Sequence, residues 1–455
     1  EIFMLRYITL FILFSIFSFL SWSFFGLLFL FNVIILFYII DLTEQQTLIK
    51  KIIFVFPFFI SFNISSTFWL FQSDQNYSFI TFFVNSSIML FFFMCGTHVN
   101  KNAKLFYIFV WVASEWLLTK WDLSWPWLIF GNVLGNQWYL IQWYSFFGVF
   151  GGSFWLLITG LIFYKILIEG FSKKKIILVF ILLSFPFFST LYYLYPSPQN
   201  KKTENFVCYI PDRSYLKSSN YNKTKKMLTL LNEKKIEKNS TIIVPEAFYF
   251  IEPYEITAGN LSYLFKNYFR KNNVQFIIGS EIENDSINRF NGISFIDNNN
   301  VLFRTKKKYV PISEYTPKVL TPFFGRTTYL KNRNDDNKII FKKLKSMPFV
   351  CYEILFSDFV ANHSYNSNLI ILLASEDFMH GSFFGKKQYN DLIRIRAIEN
   401  NRYLIKNSFE GTSFLVSPKG DIVEKILCPV TSVRVPIINK NTFYQNLIHF
   451  INYKL

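Results

Sequence analysis

Histidine and cysteine are both scarce in this chain, with four of each among 455 residues. No two cysteines have the CxxC spacing of a metal or redox motif, and together they do not form a disulfide framework. The histidines are equally scattered, which disfavours a zinc site. Nucleophilic chemistry would therefore need another base, and we expect a carboxylate. The cysteines stand at 95, 208, 351 and 428, and the histidines at 98, 363, 380 and 449.

Tryptophan is missing from the last 300 residues, because all ten copies lie at or before Trp155. Charged residues are also unevenly distributed, and most of them lie in the second half of the chain. Residues 1–200 hold ten Lys+Arg and seven Asp+Glu, whereas residues 201–455 hold 37 and 23. With 51% hydrophobic residues and 58 Phe, part of the chain is expected to lie in lipid. We predict two domains, a transmembrane helical domain over 1–200 and a second domain over 201–455.

Seven apolar runs fill the first domain. A helix needs about 20 apolar residues to cross roughly 30 Å of hydrocarbon, and several runs reach that length. The first two runs joined as one helix would extend about 50 Å, so we expect a break near Ser21–Ser23. The runs are 7–20, 24–40, 52–71, 79–94, 105–119, 140–164 and 176–195.

Lysines lie in alternate loops between these runs. Short cytoplasmic loops retain Lys and Arg, whereas the opposite loops are poor in both. Seven crossings with the N-terminus inside put the lysine-rich loops in the cytoplasm and residues 201–455 outside the cytoplasmic membrane. The lysines that mark the cytoplasmic side are Lys50, Lys51, Lys101, Lys104, Lys165 and Lys173–Lys175.

The second domain alternates short β-like runs with helical stretches, which is typical of an α/β fold. Its length suffices for one enzyme-sized core. Segments 220–231 and 387–402 are the clearest helices. The β-like runs are 206–210, 241–244, 274–278, 293–296, 349–351, 369–373 and 412–416.

Three residues at the ends of β-like runs are candidates for chemistry: Glu246, Lys306 and Cys351. Side chains at strand ends can converge on one site, as a base, a cation and a nucleophile. Each also has a structural alternative when taken singly. Glu246 could cap a helix or stand in a solvated turn, Lys306 could belong to a solvated loop, and Cys351 could be an inert core thiol.

The order and context of these residues resemble the Glu-Lys-Cys triad of the nitrilase superfamily. The segments are Val244-Pro245-Glu246, then Lys306 eight residues before Glu314, then Val350-Cys351-Tyr352-Glu353. Within that superfamily, these segments are most similar to a membrane branch, the apolipoprotein N-acyltransferase family. Segments of both domains look like that family: Trp116, Trp125-Pro126-Trp127, Gly131-Asn132, Gln142-Trp143, Gly148–Trp155 and Arg394–Glu399.

The resemblance implies a polytopic helical membrane domain followed by an αββα nitrilase-like domain. It implies that Glu246 acts as base, Lys306 as oxyanion partner and Cys351 as nucleophile, with Glu314, Tyr352 and Glu353 in supporting roles. No cofactor and no metal are expected. The implied reaction is acyl transfer from a glycerophospholipid to the α-amine of diacylglyceryl-cysteine in an apolipoprotein, through a thioester.

The implied setting is the inner membrane, with the catalytic domain on the periplasmic side. The net +14 of the second domain favours an anionic lipid surface, by about 1 kcal/mol for each basic residue that reaches it. Nucleic acid is not an expected partner at that location. We expect a monomer, because the protein is anchored in a membrane.

Two segments depart from the family pattern. Ser375-Glu376-Asp377-Phe378-Met379 stands where Asn-Asp is usual, and Phe409-Glu410-Gly411 replaces an Asn-Thr-Gly-like triplet. The last residues, 437–455, have only a short apolar run where the family has another span. Two alternative functions stay open: a membrane-tethered hydrolase or amidase of the same superfamily, and a degenerate protein without catalytic activity.

Overall fold

The computed structural model describes residues 2–73, 75–98, 103–196, 202–285, 288–298, 300–316, 320–325 and 348–454. These residues form two compact units. The first unit comprises Glu1–Pro196 together with Ser382–Glu399, and the second comprises Ser197–Gly381 together with Asn400–Leu455. A single boundary near residue 200 therefore describes the two units except for one segment.

The described residues of the N-terminal part form eight α-helices. Within the same described ranges, six long helical segments are apolar enough to cross a membrane: Met4–Ser23, Gly26–Thr43, Leu48–Thr67, Ser78–Thr97, Tyr144–Glu169 and Lys173–Leu194. These segments make the chain a multi-pass membrane protein. The helices are α1 (Ile2–Ser23), α2 (Phe29–Thr43), α3 (Leu48–Thr67), α4 (Leu70–Ser73), α5 (Gln75–His98), α6 (Ala103–Leu118), α7 (Tyr144–Glu169) and α8 (Lys173–Leu194).

The fifth predicted run corresponds to α6, which has only 16 residues. At 1.5 Å per residue it is about 24 Å long, against roughly 30 Å of hydrocarbon. The predicted break between the first two runs is confirmed, since α1 ends at Ser23 and a short 3-10 turn precedes α2. Two amide oxygens accept the backbone N–H groups of that turn: Asn136 Oδ1 from Gly26 and Gln137 Oε1 from Leu27, both at 2.9 Å.

The second unit contains two β-sheets. The six-stranded sheet has the order β11-β1-β2-β3-β4-β5, and the five-stranded sheet has the order β10-β9-β8-β7-β6. The strands are β1 (Thr203–Tyr209), β2 (Thr241–Ile251), β3 (Gln275–Asp285), β4 (Asn288–Ile296), β5 (Val301–Thr305), β6 (Phe349–Val350), β7 (Ile370–Ser375), β8 (Leu404–Phe409), β9 (Ser413–Val416), β10 (Ile422–Ile426) and β11 (Val430–Pro436).

The remaining helices follow in chain order: α9 (Asn220–Glu233), α10 (Pro253–Thr257), α11 (Asn260–Phe269), α12 (Thr321–Phe324), α13 (Ser357–His363), α14 (Phe383–Asn400) and α15 (Phe443–Lys454). The two predicted helices of this region correspond to α9 and α14. Nearly all of α14 belongs to the first unit, whereas the others belong to the second.

Alternation along the strands builds two separate hydrophobic layers in the second unit. Successive side chains of a strand point to opposite faces of its sheet. In β1, Phe206 and Cys208 join a core shared with residues of β7 and β8, so this core lies between the sheets. Val207 and Tyr209 join a second core with apolar residues of α9 and α11. Two stacked sheets with helices outside them confirm the predicted α/β nitrilase-like fold.

Polar side chains of α14 bind the N-terminal part of the first unit, to which nearly all of this helix belongs. Gln388 Oε1 accepts from the indole N–H groups of Trp69 and Trp127 at 3.0 and 2.9 Å. Glu399 Oε1 accepts from Val149 N at 2.7 Å, directly after Gly148, whose φ of 62° interrupts α7. The family-like segments of the membrane half and of the late helix therefore contact each other, which a boundary at residue 200 does not convey.

Candidate active site

Cys351 stands at a sharp turn directly after β6. A 3-10 turn runs over Cys351–Leu355, and Cys351 itself has a φ of 42°. Residues other than glycine rarely adopt this left-handed conformation, which costs about 1–3 kcal/mol. Such strain persists where the surroundings enforce it, and it is frequent at functional sites. The side chain is buried, with 8% exposure.

Glu246 lies in an irregular section of β2. The register between β2 and β3 shifts after Val244 and resumes at Tyr249, and Ala247 has a φ of 54°. The bulge brings the β2 backbone close to Gly279, where an added Cβ would stand 2.3 Å from Pro245 O and 2.4 Å from Glu246 Cα. Gly279, which has no Cβ, thus leaves room for the bulge, and a bulge can re-aim a side chain next to an active site.

Lys306 directly follows β5, and its ammonium group joins two carboxylates. Its Nζ donates to Glu246 Oε1 at 3.1 Å and to Glu314 Oε1 at 2.8 Å. Lys306 is 1% exposed and Glu246 is 5% exposed. The structure therefore brings three of the predicted residues into one buried, charge-assisted network.

Asn291 on β4 binds the same two carboxylate oxygens as Lys306. Its Nδ2 donates to Glu246 Oε1 at 2.9 Å and to Glu314 Oε1 at 3.2 Å, and its backbone carbonyl accepts from Lys306 N at 2.7 Å. One amide group thus holds both acids and the lysine backbone. Two like charges can share this buried space because an ammonium and an amide both donate to them.

Ser375, the last residue of β7, connects the thiol with Glu246. Its backbone N–H donates to Glu246 Oε2 at 3.0 Å, and its carbonyl oxygen lies 3.9 Å from Cys351 Sγ as an acceptor. The charge of the Glu246 carboxylate also acts on this thiol. Cys351 and Glu246 therefore bind the backbone of the same residue, and both carboxylate oxygens of Glu246 are oriented by other donors.

The local charges set the resting protonation states. Burial raises the pKa of the Cys351 thiol well above its usual value, the Glu246 charge raises it further, and Lys306 offsets part of this effect. Burial alone would lower the pKa of Lys306, but the charges of Glu246 and Glu314 outweigh it and leave the pKa well above normal. At neutral pH the thiol is therefore protonated and the lysine is charged.

Two family profiles match the chain on either side of residue 200. The profile described as "Apolipoprotein N-acyltransferase N-terminal domain" matches residues 13–162, and "Carbon-nitrogen hydrolase" matches residues 207–427. Together they cover most of the chain in the expected order. The chain belongs to the apolipoprotein N-acyltransferase family. It is therefore an enzyme of the carbon-nitrogen hydrolase superfamily.

Curated relatives carry the same family name. Apolipoprotein N-acyltransferase of Rickettsia typhi is 28% identical over 368 residues, which cover 76% of this chain and 72% of the relative. The Rickettsia prowazekii protein gives 28% over 369 residues with the same coverage. The Coxiella burnetii protein gives 26% over 325 residues, covering 69% of this chain and 66% of the relative.

Solved structures resemble part of the chain at low identity. An amidase of the nitrilase superfamily from Nesterenkonia has a TM-score of 0.38 and 14% identity, covering 57% of this chain and 98% of its own. A CN-hydrolase superfamily protein from Xanthomonas campestris also has a TM-score of 0.38 and 14% identity, covering 51% of this chain and 91% of its own.

The three supporting residues that the N-acyltransferase resemblance suggests have different surroundings. Glu314 belongs to the Lys306 network, and its Oε2 accepts from Val310 N at 2.8 Å. Tyr352 is buried beside the thiol, and its ring contacts Phe356 edge-on with centroids 5.4 Å apart. Burial raises the pKa of Tyr352 well above normal, and the Glu314 charge adds to the effect.

Glu353 lies outside the Lys306 network and pairs with Arg304. Arg304 donates to both carboxylate oxygens at 3.1 and 2.9 Å, and the two side chains are 1% and 0% exposed. Glu353 also accepts from Val350 N at 2.8 Å and from Lys307 N at 2.7 Å. Glu353 thus caps the turn that begins at Cys351. Glu353 joins the lysine segment to the nucleophile turn.

Asn291, Ser375 and Arg304 were not among the candidates from the sequence. Asn291 is a single amide inside a strand, and Ser375 acts through its backbone, which no residue type reveals. Arg304 could have been found, because an arginine two residues before Lys306 in an apolar strand needs a buried acid as partner. Among the described residues, no group of three or more His, Cys, Asp or Glu could hold a metal ion.

Proposed function

We propose that this enzyme transfers an acyl chain from a glycerophospholipid to the α-amine of diacylglyceryl-cysteine in apolipoproteins, through a thioester on Cys351. One observation carries the proposal. The Glu246 carboxylate contacts the Lys306 ammonium and the Ser375 N–H, and the Ser375 carbonyl accepts from the thiol. A base, a cation and a nucleophile thus meet in one buried site.

In the first half of the cycle, Glu246 takes the proton of Cys351 and the thiolate attacks the ester carbonyl of the phospholipid. Lys306 stabilises the oxyanion that forms on the carbonyl oxygen. The ester C–O bond then breaks, Glu246 returns the proton to the departing alkoxide, and lysophospholipid leaves. The acyl chain stays on Sγ as a thioester.

Electrostatics favour this route for a thiol that is protonated at rest. Proton transfer from Sγ to Glu246 stays inside the cluster and leaves its net charge unchanged, so no charge has to be desolvated. Removal of one oxyanion donor typically costs about 3–4 kcal/mol of barrier. Lys306 is suited to this role, because its ammonium stays charged at neutral pH.

In the second half, the α-amine of the acceptor attacks the thioester and gives its proton to Glu246. The C–S bond breaks, an amide forms, and Glu246 returns the proton to the Cys351 thiolate. Cys351, Glu246 and Lys306 all belong to one unit of one chain, which supports a monomer as the active form.

The membrane unit supports substrates that carry acyl chains. An enzyme anchored in the bilayer meets lipid-anchored donors and acceptors without extracting them into water. The curated relatives are named for the same acceptor, an apolipoprotein. We propose the inner membrane as the location and its periplasmic side for the catalytic unit, on the basis of the lysine-rich loops.

The side of the membrane can be tested with Cys428, which is exposed on the second unit. Seven crossings require α6 to span, whereas six would put this unit on the cytoplasmic side. We expect a membrane-impermeant maleimide to label Cys428 in cells whose outer membrane alone is permeable. Cys428→Ser should lose the label. Labelling that appears only after the inner membrane is disrupted would reverse the proposed orientation.

The acyl route can be tested by incubating purified protein with an alkyne-tagged phospholipid. We expect a thiol-labile label on Cys351 that moves to a diacylglyceryl peptide. Cys351→Ala should abolish the label, and Cys208→Ala, which removes the other buried thiol of this unit, should keep it. Loss of the label to water alone would favour the hydrolase alternative. Absence of label, with Cys351→Ala indistinguishable from wild type, would favour the non-catalytic one.

A further inference from the structure

A further buried ion pair, apart from the Lys306 network and the Arg304–Glu353 pair, stands next to the proposed catalytic residues. Glu376 and Lys406 are both 0% exposed, and the Lys406 ammonium donates to Glu376 Oε1. The same oxygen accepts from Ser408 Oγ at 3.1 Å. The other carboxylate oxygen, Oε2, is buried without a hydrogen-bond partner among the described residues. Glu376 lies in a segment where the sequence departs from the family pattern, and Lys406 lies on β8.

Glu376 is the chain neighbour of Ser375, whose backbone contacts both reactive groups. The Ser375 N–H orients Glu246, and the Ser375 carbonyl accepts from Cys351 Sγ. The peptide N–H of Glu376 itself donates to Phe409 O at 2.9 Å, which continues the pairing of β7 with β8. A backbone hydrogen bond to β8 therefore holds the peptide group between Ser375 and Glu376. The ion pair with Lys406 additionally restrains the Glu376 side chain at the same point.

Stability alone does not explain a fully buried ion pair. Desolvation of the two charges offsets most of their attraction, and apolar replacements of similar volume are often neutral or stabilising. The neighbouring turn is nevertheless adapted to the carboxylate. A Cβ on Gly411 would stand 2.2 Å from Glu376 Oε1, so a larger residue there would have to displace the carboxylate. The turn at Gly411 thus accommodates the Glu376 carboxylate. Because stability does not explain this acid, its role lies in restraining the neighbouring backbone.

We propose that the Glu376–Lys406 ion pair positions the backbone of Ser375, so that the Ser375 carbonyl faces the Cys351 thiol and the Ser375 N–H faces Glu246. The role rests on the proposed function, because it serves the transfer of the thiol proton to Glu246. Neither side chain touches the reacting atoms, so both are positioning residues. A misplacement of about 1 Å at a reacting group can slow a reaction roughly 100-fold.

The test uses the full-length protein with Glu376→Gln and with the double change Glu376→Gln/Lys406→Met. The double variant leaves no unpaired buried charge and is expected to fold like wild type. We expect both variants to form the Cys351 thioester 10- to 100-fold more slowly, with the KM for phospholipid within about twofold of wild type. Lys406→Arg keeps the positive charge at this position, so this variant should retain most of the wild-type rate of thioester formation. Glu237→Gln, in the exposed pair with Arg434, is the matched control and should change nothing.

A second readout needs no substrate and separates this proposal from the proposed function. The pH profile of Cys351 alkylation by iodoacetamide, followed by mass spectrometry, should move to lower pH in both variants, because a displaced Glu246 no longer raises the thiol pKa. If wild type forms no thioester, the proposed function fails and the alkylation profile still decides on positioning. A double variant that is folded, with protected Cys208, and has the wild-type rate and profile would overturn the proposal.

Discussion

The Arg304–Glu353 pair gives the sharpest energetic prediction for the fold around the nucleophile. Glu353→Gln removes the negative charge from a carboxylate that receives two bonds from Arg304 and two from backbone N–H groups. Each oxygen accepts from one arginine nitrogen and one backbone nitrogen, so two of those donors must then face the new amide NH2 group. Breaking a buried ion pair by removing one partner costs about 3–5 kcal/mol, because the remaining charge is desolvated and unpaired.

The matched control is the exposed pair Arg434–Glu237, whose side chains are 71% and 57% exposed at a separation of 2.7 Å. A pair of this kind contributes about 0–1 kcal/mol. Both acids accept from an arginine at similar distances, so Glu237→Gln differs from Glu353→Gln mainly in burial. We expect the two variants to differ by at least about 2 kcal/mol in the stability of the second unit.

The assay must report on the second unit, and tryptophan fluorescence cannot, because all ten tryptophans precede residue 156. Cys208 is fully buried in the core between the sheets, together with Val350. In a chain whose other three cysteines are replaced, the rate of Cys208 labelling by a thiol reagent measures the opening of that core. A loss of about 3–5 kcal/mol predicts labelling that is faster by a factor of roughly 10² to several times 10³. Equal labelling rates for Glu353→Gln and Glu237→Gln would refute the reasoning.

Two further changes probe the charged network. Glu246→Gln should abolish thioester formation. It should also lower the pH midpoint of Cys351 alkylation, measured by mass spectrometry, because the Glu246 charge raises the thiol pKa. An unchanged or higher midpoint would contradict this. Asn291→Leu removes the amide that donates to both Glu246 and Glu314, and should slow acylation at least tenfold, whereas Lys308→Met, outside the network, should match wild type in the same single-turnover assay.

The sequence predicted most of the fold because its signals are local. Apolar runs of membrane length and alternating β-like runs both follow from side-chain burial, and the observed helices and strands agree with them. The fifth run was harder to interpret. Its helix, α6, is 16 residues long, which is shorter than the roughly 20 residues of a typical crossing. The place of α14 could not be read from order along the chain, because Gln388 and Glu399 find their partners more than 200 residues away.

The candidate site was predictable at its charged residues and not at its scaffold. Glu246 and Lys306 were proposed from strand ends and Glu314 from the family resemblance, and the structure brings the three together. The proximity of Ser375 depends on backbone groups, and the dual contact of Asn291 depends on the pairing of β4 with β5. The departure at Glu376 looked like a weakness in the sequence. In the structure this residue is buried and paired with Lys406.

The central claim, a thioester on Cys351, can be tested most directly by mass spectrometry of the Cys351 peptide after brief exposure of the enzyme to phospholipid of defined acyl chain. The account predicts that this peptide gains the mass of the acyl group, that thiols remove it, and that an added diacylglyceryl peptide removes it at the rate of product formation. Cys208 should stay unmodified throughout. Triacylated product that forms while the Cys351 peptide stays unmodified at every time point would contradict the account.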